Sequence, residues 1–104
     1  GGSDSPVTPY QPLLGLWQAR TRHIAGTDEP IGRLQVVSGE EALAMYTRDA
    51  AYVSFSDHER GMLRPGLLAD WTVLSVDPVT CDPEALRGAQ VLATAVDGQM
   101  VHEA

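Results

Sequence analysis

Gly61-Met62-Leu63-Arg64-Pro65-Gly66-Leu67-Leu68-Ala69-Asp70, followed by Trp71-Thr72-Val73-Leu74-Ser75-Val76, is the stretch at which this chain changes from helix to strand. Arg64-Pro65-Gly66-Leu67 predicts a type II turn, because its third residue needs a positive φ that glycine adopts without steric penalty. Trp71 to Val76 is rich in β-formers and predicts a strand, mostly buried. Asp70 interrupts an otherwise apolar run. A buried carboxylate must be hydrogen-bonded, and the expected donors are the backbone amides of the Pro65-Gly66 turn, which makes Asp70 a structural clamp rather than a catalytic acid. Gly61 and Gly66 are expected to share that structural role.

Reading outward from this point, Asp77-Pro78 and Cys81-Asp82-Pro83 are loop signals, with one helical turn over Pro83 to Leu86. Val91 to Val96 and Met100 to His102 flank Asp97-Gly98, a pair that favours the tight type I′ turn of a hairpin. On the N-terminal side, Ser38 followed by Glu41 forms a capping-box pattern. Leu43, Tyr46, Ala50 and Val53 then make one apolar stripe, and this helix is expected to end near Phe55. Residues 25 to 37 read as a long loop. An earlier helix begins near Pro12 and places Leu13, Leu16, Trp17 and Arg20 at helical spacing, with Gly26 as a breaker. Ahead of it, prolines 6, 9 and 12 disfavour regular hydrogen bonding. The fold class is therefore α+β, with two helices packed on a small antiparallel sheet.

The chain has 104 residues, 14 acidic and 7 basic side chains, and a formal charge of −7. One domain is the ceiling at this length. The basic residues are all arginines scattered singly, so no cationic cluster is available for phosphate and nucleic acid is not an expected partner. The absence of lysine excludes Schiff-base or phosphate-loop lysine chemistry within these residues. Cys81 has no cysteine partner, so no internal disulfide can form, and a cytoplasmic location is the expectation. The apolar stretch from Gly66 to Val76 is far short of the ~20 residues a bilayer span needs, so no membrane partner is expected.

Self-contained chemistry is hard to find. His23, His58 and His102 fit no metal-ligand spacing and are expected at the surface. Ser3-Asp4-Ser5 lacks the glycines of a nucleophile elbow. Cys81 has no histidine near it in sequence, and Asp82 would raise its pKa, which argues against a nucleophile. Trp17 and Trp71 read as core or interdomain residues.

Four motifs nevertheless stand in a recognisable order. Gly2-Ser3-Asp4-Ser5-Pro6-Val7 with Pro12-Leu13-Leu14 and Ala19-Arg20-Thr21-Arg22 resembles the last barrel strand and following helix of amidohydrolase family 3, the branch of metal-dependent hydrolases that includes N-substituted formamide deformylase. Glu41-Ala42-Leu43, Tyr46-Thr47 and Ala50-Ala51-Tyr52 are similar to its late helix. Gly61 to Asp70 resembles its Gly-x-Leu-x-x-Gly-x-x-Ala-Asp turn and strand, and Val91 to Val101 its closing hairpin. Leu67 departs from the pattern, since the family usually carries a polar or basic residue there, and the approach to the helix around Gly39 is longer.

The resemblance implies the tail of a (β/α)8 barrel over residues 1–37 and part of a composite β-domain over 38–104. It implies a metal-dependent hydrolase of amide-type, non-peptide carbon–nitrogen bonds, with a divalent metal, zinc by expectation, in the parent enzyme. Asp4 matches the family's strand-eight aspartate, a catalytic proton carrier and a potential metal ligand only when the missing upstream ligands are present. The chain opens on Gly1, either after loss of an initiator methionine or as a piece of something longer. On the second option it is a C-terminal fragment, inactive alone, whose partner is the rest of the barrel. A stand-alone acidic interaction module and one half of a split hydrolase are the alternatives. A sheet lacking its other strands would leave a free edge, with self-association into a homo-oligomer as the expected compensation.

Overall fold

The protein is described by a computed structural model over residues 1–24, 26–27 and 29–104. Helix α1 spans Pro12–Thr21, α2 Gly39–Tyr46 and α3 Arg48–Val53. Strands β1 (Trp71–Leu74), β2 (Val91–Val96) and β3 (Gln99–Glu103) form one antiparallel sheet in the order β1-β2-β3. Short 3-10 turns lie at Arg33–Gln35 and Pro83–Arg87.

Helix α1 begins where proline is best tolerated, in the first turn, whose N–H groups have no partner within the helix. It stops at Arg22, which takes a left-handed φ of 58° and donates its N–H to the Gln18 carbonyl at 2.7 Å. Leu16 and Trp17 are buried and meet Ala42 of α2 and Leu86 of the Pro83–Arg87 turn. These four residues form one buried cluster, extended by half-buried Leu13, Tyr46, Val76 and Cys81. Trp17 is only 2% exposed, and its indole N–H donates to Glu84 Oε2 at 3.0 Å while the Arg87 guanidinium lies 4.9 Å from its ring centroid. Arg20 ties the next loop to the same helix by donating to the carbonyls of Pro78 at 3.1 Å and Cys81 at 3.0 Å.

The capping box forms as expected. The Ser38 N–H donates to Glu41 Oε2 at 2.8 Å, and the Glu41 N–H donates to Ser38 Oγ at 3.2 Å. The single helix expected to run to Phe55 is broken, however, at Thr47 (φ −127°, ψ −93°). There the Thr47 hydroxyl donates to the Leu43 carbonyl at 2.8 Å, and the Thr47 N–H reaches only to Ala44, one residue short of the α-helical pattern. The break spoils the expected stripe. Leu43 and Tyr46 are half-buried, but Val53 is 76% exposed and Ala50 also faces solvent, whereas Gly39, Ala42 and Ala51 are buried. Gly61 packs into this break: a Cβ on it would lie 2.8 Å from the Ala51 Cβ and 3.2 Å from the Arg48 Cα. Its φ of +103° already favours glycine.

In the sheet, Asp97 (φ 50°) and Gly98 (φ 75°) make the tight hairpin turn between β2 and β3. β1 is shorter than expected because its register with β2 slips between Val73 and Leu74, although the Ser75 N–H still reaches the Gln90 carbonyl at 2.9 Å. It is also less buried than expected. Trp71 and Leu74 are half-buried while Thr72 and Val73 are exposed, since β1 lies at the edge of the sheet with β2 as its strand neighbour. The helices contact chiefly one another and the Pro83–Arg87 turn. The radius of gyration is 14.4 Å, above the ~13 Å of a compact chain of this length.

Candidate functional site

Asp4 sits in a left-handed conformation (φ 52°), which aspartate tolerates better than most residues. It opens a turn closed by the Val7 N–H donating to the Asp4 carbonyl at 2.9 Å, and the Thr8 hydroxyl donates to the Ser3 carbonyl across the same loop. The backbone is thus held by local bonds, and the carboxylate is exposed. Aspartates in turns commonly accept a nearby amide, as Asp77 does from Val79 at 2.8 Å and Asp82 from Glu84 at 2.9 Å. Among the described residues the Asp4 carboxylate accepts none.

The remaining candidates are dispersed. His58 is exposed beside Glu59, His102 is exposed with Nε2 3.4 Å from the Val91 carbonyl, and His23 is half-buried with its ring tilted 40° against Trp17. His23 therefore departs from the surface expectation, because the chain turning back after α1 lays it on the indole. Cys81 is half-buried with its Sγ 3.7 Å from Arg20. Among the described residues no three histidine, cysteine, aspartate or glutamate side chains converge as a metal site. Asp4 could supply one oxygen ligand, so the described residues alone do not fit a bound metal ion.

Asp70 clamps a different partner from the one expected. Its Oδ1 accepts the N–H of Asp97, in the hairpin turn, at 2.8 Å, and Oδ2 lies 3.9 Å from Arg60 Nε. The amides of the Pro65-Gly66 turn are not its donors; that turn closes on itself through the Leu67 N–H and the Arg64 carbonyl at 3.1 Å. Gly66 has φ +93° and open space where a Cβ would stand. Arg60 was not legible as a partner, since only the fold brings it to Asp70.

Between α2–α3 and the sheet lies a groove of ≈ 920 Å³. Leu43, Met62, Trp71, Leu74 and Val96 give it an apolar wall, with Arg60 and Asp70 among its polar lining. Trp71 belongs to this wall, whereas Trp17 belongs to the core. No helix among the described residues is long and apolar enough to cross a membrane.

Three carboxylates are held below their ordinary range by hydrogen bonds. For Glu41 the leading cause is the Ser38 N–H, followed by the Ser38 hydroxyl. For Asp77 it is the Val79 N–H, followed by donation from Thr80. For Glu84 it is the Arg87 guanidinium at 2.7 Å, followed by the Trp17 indole.

The amidohydrolase family model matches residues 1–102. The chain is 34% identical over 105 residues to YtcJ of Bacillus subtilis, a protein assigned to the amidohydrolases, covering 99% of this chain and 20% of that one. It is 39% identical over 102 residues to the N-substituted formamide deformylase of Arthrobacter pascens, covering 97% and 18%. A crystal structure of an amidohydrolase from Thermotoga maritima superposes with a TM-score of 0.65 at 25% identity, over 97% of this chain and 22% of that one. The chain spans about a fifth of the length of the curated relatives it matches.

Proposed function

Because the chain belongs to the amidohydrolase family, we propose that it is the C-terminal portion of a metal-dependent hydrolase of amide-type, non-peptide carbon–nitrogen bonds. The observation that carries this reading is the continuous match of residues 1–102 in a chain that amounts to a fifth of its relatives. In this reading Gly1 to Asp4 is the end of the last barrel strand and α1 is the helix that follows it. Asp4 stands where strand ends of such barrels carry catalytic groups. Its free, exposed carboxylate supports that role, because a carboxylate without local hydrogen bonds can accept a proton during attack on a C–N carbonyl and return it to the departing amine.

The family is generally metal-dependent, and zinc is the ion we propose. The other ligands come, in this reading, from a preceding part of the same polypeptide, which is also the partner of the surfaces left open here. The 104 residues are then inactive by themselves.

The test is expression of the longest reading frame containing this segment, assayed against an N-substituted formamide, an N-acyl amino acid and a cyclic imide. The expected result is hydrolysis of at least one of them, with Asp4→Asn lowering kcat by about 10² to 10⁴ while the protein stays folded. Absence of hydrolysis with all three would remove the hydrolase reading. Activity retained in Asp4→Asn would remove the role of Asp4.

A further inference from the structure

We propose that Tyr46, the last residue of α2, is a positioning residue that holds the segment carrying Asp4 in place for proton transfer. The inference rests on the hydrolase reading given above and on the role of Asp4 within it, and it adds a residue to that site. Two glycines carry it. A Cβ on Gly15, inside α1, would collide with Tyr46 Oη and lie 2.7 Å from Cζ, and a Cβ on Gly1 would lie 2.6 Å from Tyr46 Cε2. At Gly2 nothing stands within 4 Å of such a Cβ, so the ring meets the segment ahead of Asp4 at Gly1. One aromatic ring therefore lies on α1 and on the chain just before Asp4 at once.

Helix α2 delivers this ring from a fixed frame. Its first turn is closed by the Ser38–Glu41 capping box, and Ala42, 0% exposed, packs in the cluster with Leu16 and Trp17 of α1. Tyr46 follows Ala42 by four residues, one turn further along the same face. The backbone adds a second tie. Carbonyls in the last turn of a helix have no partner within it, and the Met45 carbonyl accepts from the Gly1 nitrogen at 2.8 Å. Gly1 is held by the ring and by the helix end together, while the bonds around Asp4 are local to residues 3–8. Where the Asp4 carboxylate stands relative to a substrate then depends on how Gly1 is fixed.

Position 15 points the same way. Glycine inside a helix is less favourable than alanine, and the backbone of Gly15 has no positive φ that would call for glycine. Alanine there would have to displace the Tyr46 ring. Displacement matters at a proton carrier, because a misplacement of about 1 Å arising away from the chemistry can cost about 10²-fold in rate.

The experiment uses the protein of the longest reading frame containing this segment, with kcat and KM measured on the amide it hydrolyses best and amide exchange read by mass spectrometry. Tyr46→Ala should lower kcat about 10²-fold with KM within about twofold of wild type, and should speed exchange in the peptide covering Gly2 to Asp4. Tyr46→Phe, which keeps the ring, should restore kcat to within about threefold of wild type. On an Asp4→Asn background Tyr46→Ala should cause no further loss, since a positioning residue acts through the group it positions. Gly15→Ala, which disturbs the ring from α1 while favouring the helix, should lower kcat without lowering Tm, and it decides the matter if Tyr46→Ala does not fold. Unchanged kcat in Tyr46→Ala, or in Gly15→Ala where the first variant is unfolded, would overturn the inference. So would a loss carried by KM, or an equal loss on the Asp4→Asn background, since either would leave Tyr46 with no action through Asp4. Wild type that hydrolyses no amide would sink the hydrolase reading and this inference with it, whereas active wild type with unchanged kcat in the variants would sink this inference alone.

Discussion

The carboxylate of Asp70 accepts the backbone N–H of Asp97 at 2.8 Å, and one residue earlier the Ala69 carbonyl accepts the N–H of Gly98 at 2.9 Å. Two consecutive residues ahead of β1 therefore hold both residues of the turn that joins β2 to β3. A residue 27 positions away in sequence fixes the hairpin turn from outside the hairpin. Asp70→Ala should cost about 1.5 to 3 kcal/mol, the range for a hydrogen bond to a charged group, with the Arg60 pair at 3.9 Å adding little. Urea unfolding would measure it, and faster amide exchange at Asp97 would locate it.

Gly61 and Gly66 share a positive φ but differ in surroundings. Gly66→Ala meets open space and should cost about 1 kcal/mol from backbone strain alone. Gly61→Ala adds a clash with Ala51 at the helix break and should cost about 2 to 4 kcal/mol, the strain plus an overpacking penalty. Equal losses in thermal unfolding of the two variants would contradict this packing account.

Acid should weaken the fold in a defined window. Glu41, Asp77 and Glu84 are held below their ordinary values of 4.5, 3.8 and 4.5, so the unfolded chain takes up their protons first. Their contribution to stability is complete above those ordinary values and is lost as pH falls through the lowered ones. Unfolding midpoints measured between pH 7 and pH 2 should fall most steeply below about pH 4.5. Glu41→Gln and Glu84→Gln should each flatten that acid limb while changing the profile above pH 6 little.

Leu86 joins the Pro83–Arg87 turn to α1. As a fully buried side chain it should lose about 2 to 5 kcal/mol on Leu86→Ala, enough to unfold much of a chain this short. Trp17→Phe is the milder probe: it removes the N–H donated to Glu84 and part of the ring beneath Arg87. Near-ultraviolet circular dichroism should report the loss of the fixed indole environment in Leu86→Ala.

The 104-residue chain by itself should neither hold zinc stoichiometrically nor hydrolyse amides. Among the described residues no three candidate ligands converge, and one carboxylate binds a divalent ion weakly. Equilibrium dialysis against zinc, followed by metal analysis and a formamide assay, would check both halves of the expectation. Tight one-to-one metal with turnover would contradict it.

Local chemistry was legible in the residues alone. The capping box at Ser38 and Glu41, the hairpin turn at Asp97-Gly98, the Pro12 start of α1 and the motif order of the amidohydrolase family all depend on neighbours in sequence, and each was readable from them. What required the tertiary structure was decided by contacts between distant segments. Nothing near Thr47 says that Gly61 will pack against the helix break, and nothing near Asp70 says that its amide donor is Asp97 rather than the Pro65-Gly66 turn. β1 reads as buried because its residues are apolar, yet burial is a property of what lies against a strand, and here a groove does. Short-range hydrogen bonds and φ preferences are encoded by residues a few positions apart; packing, partner choice and exposure are set only when the whole chain has been placed.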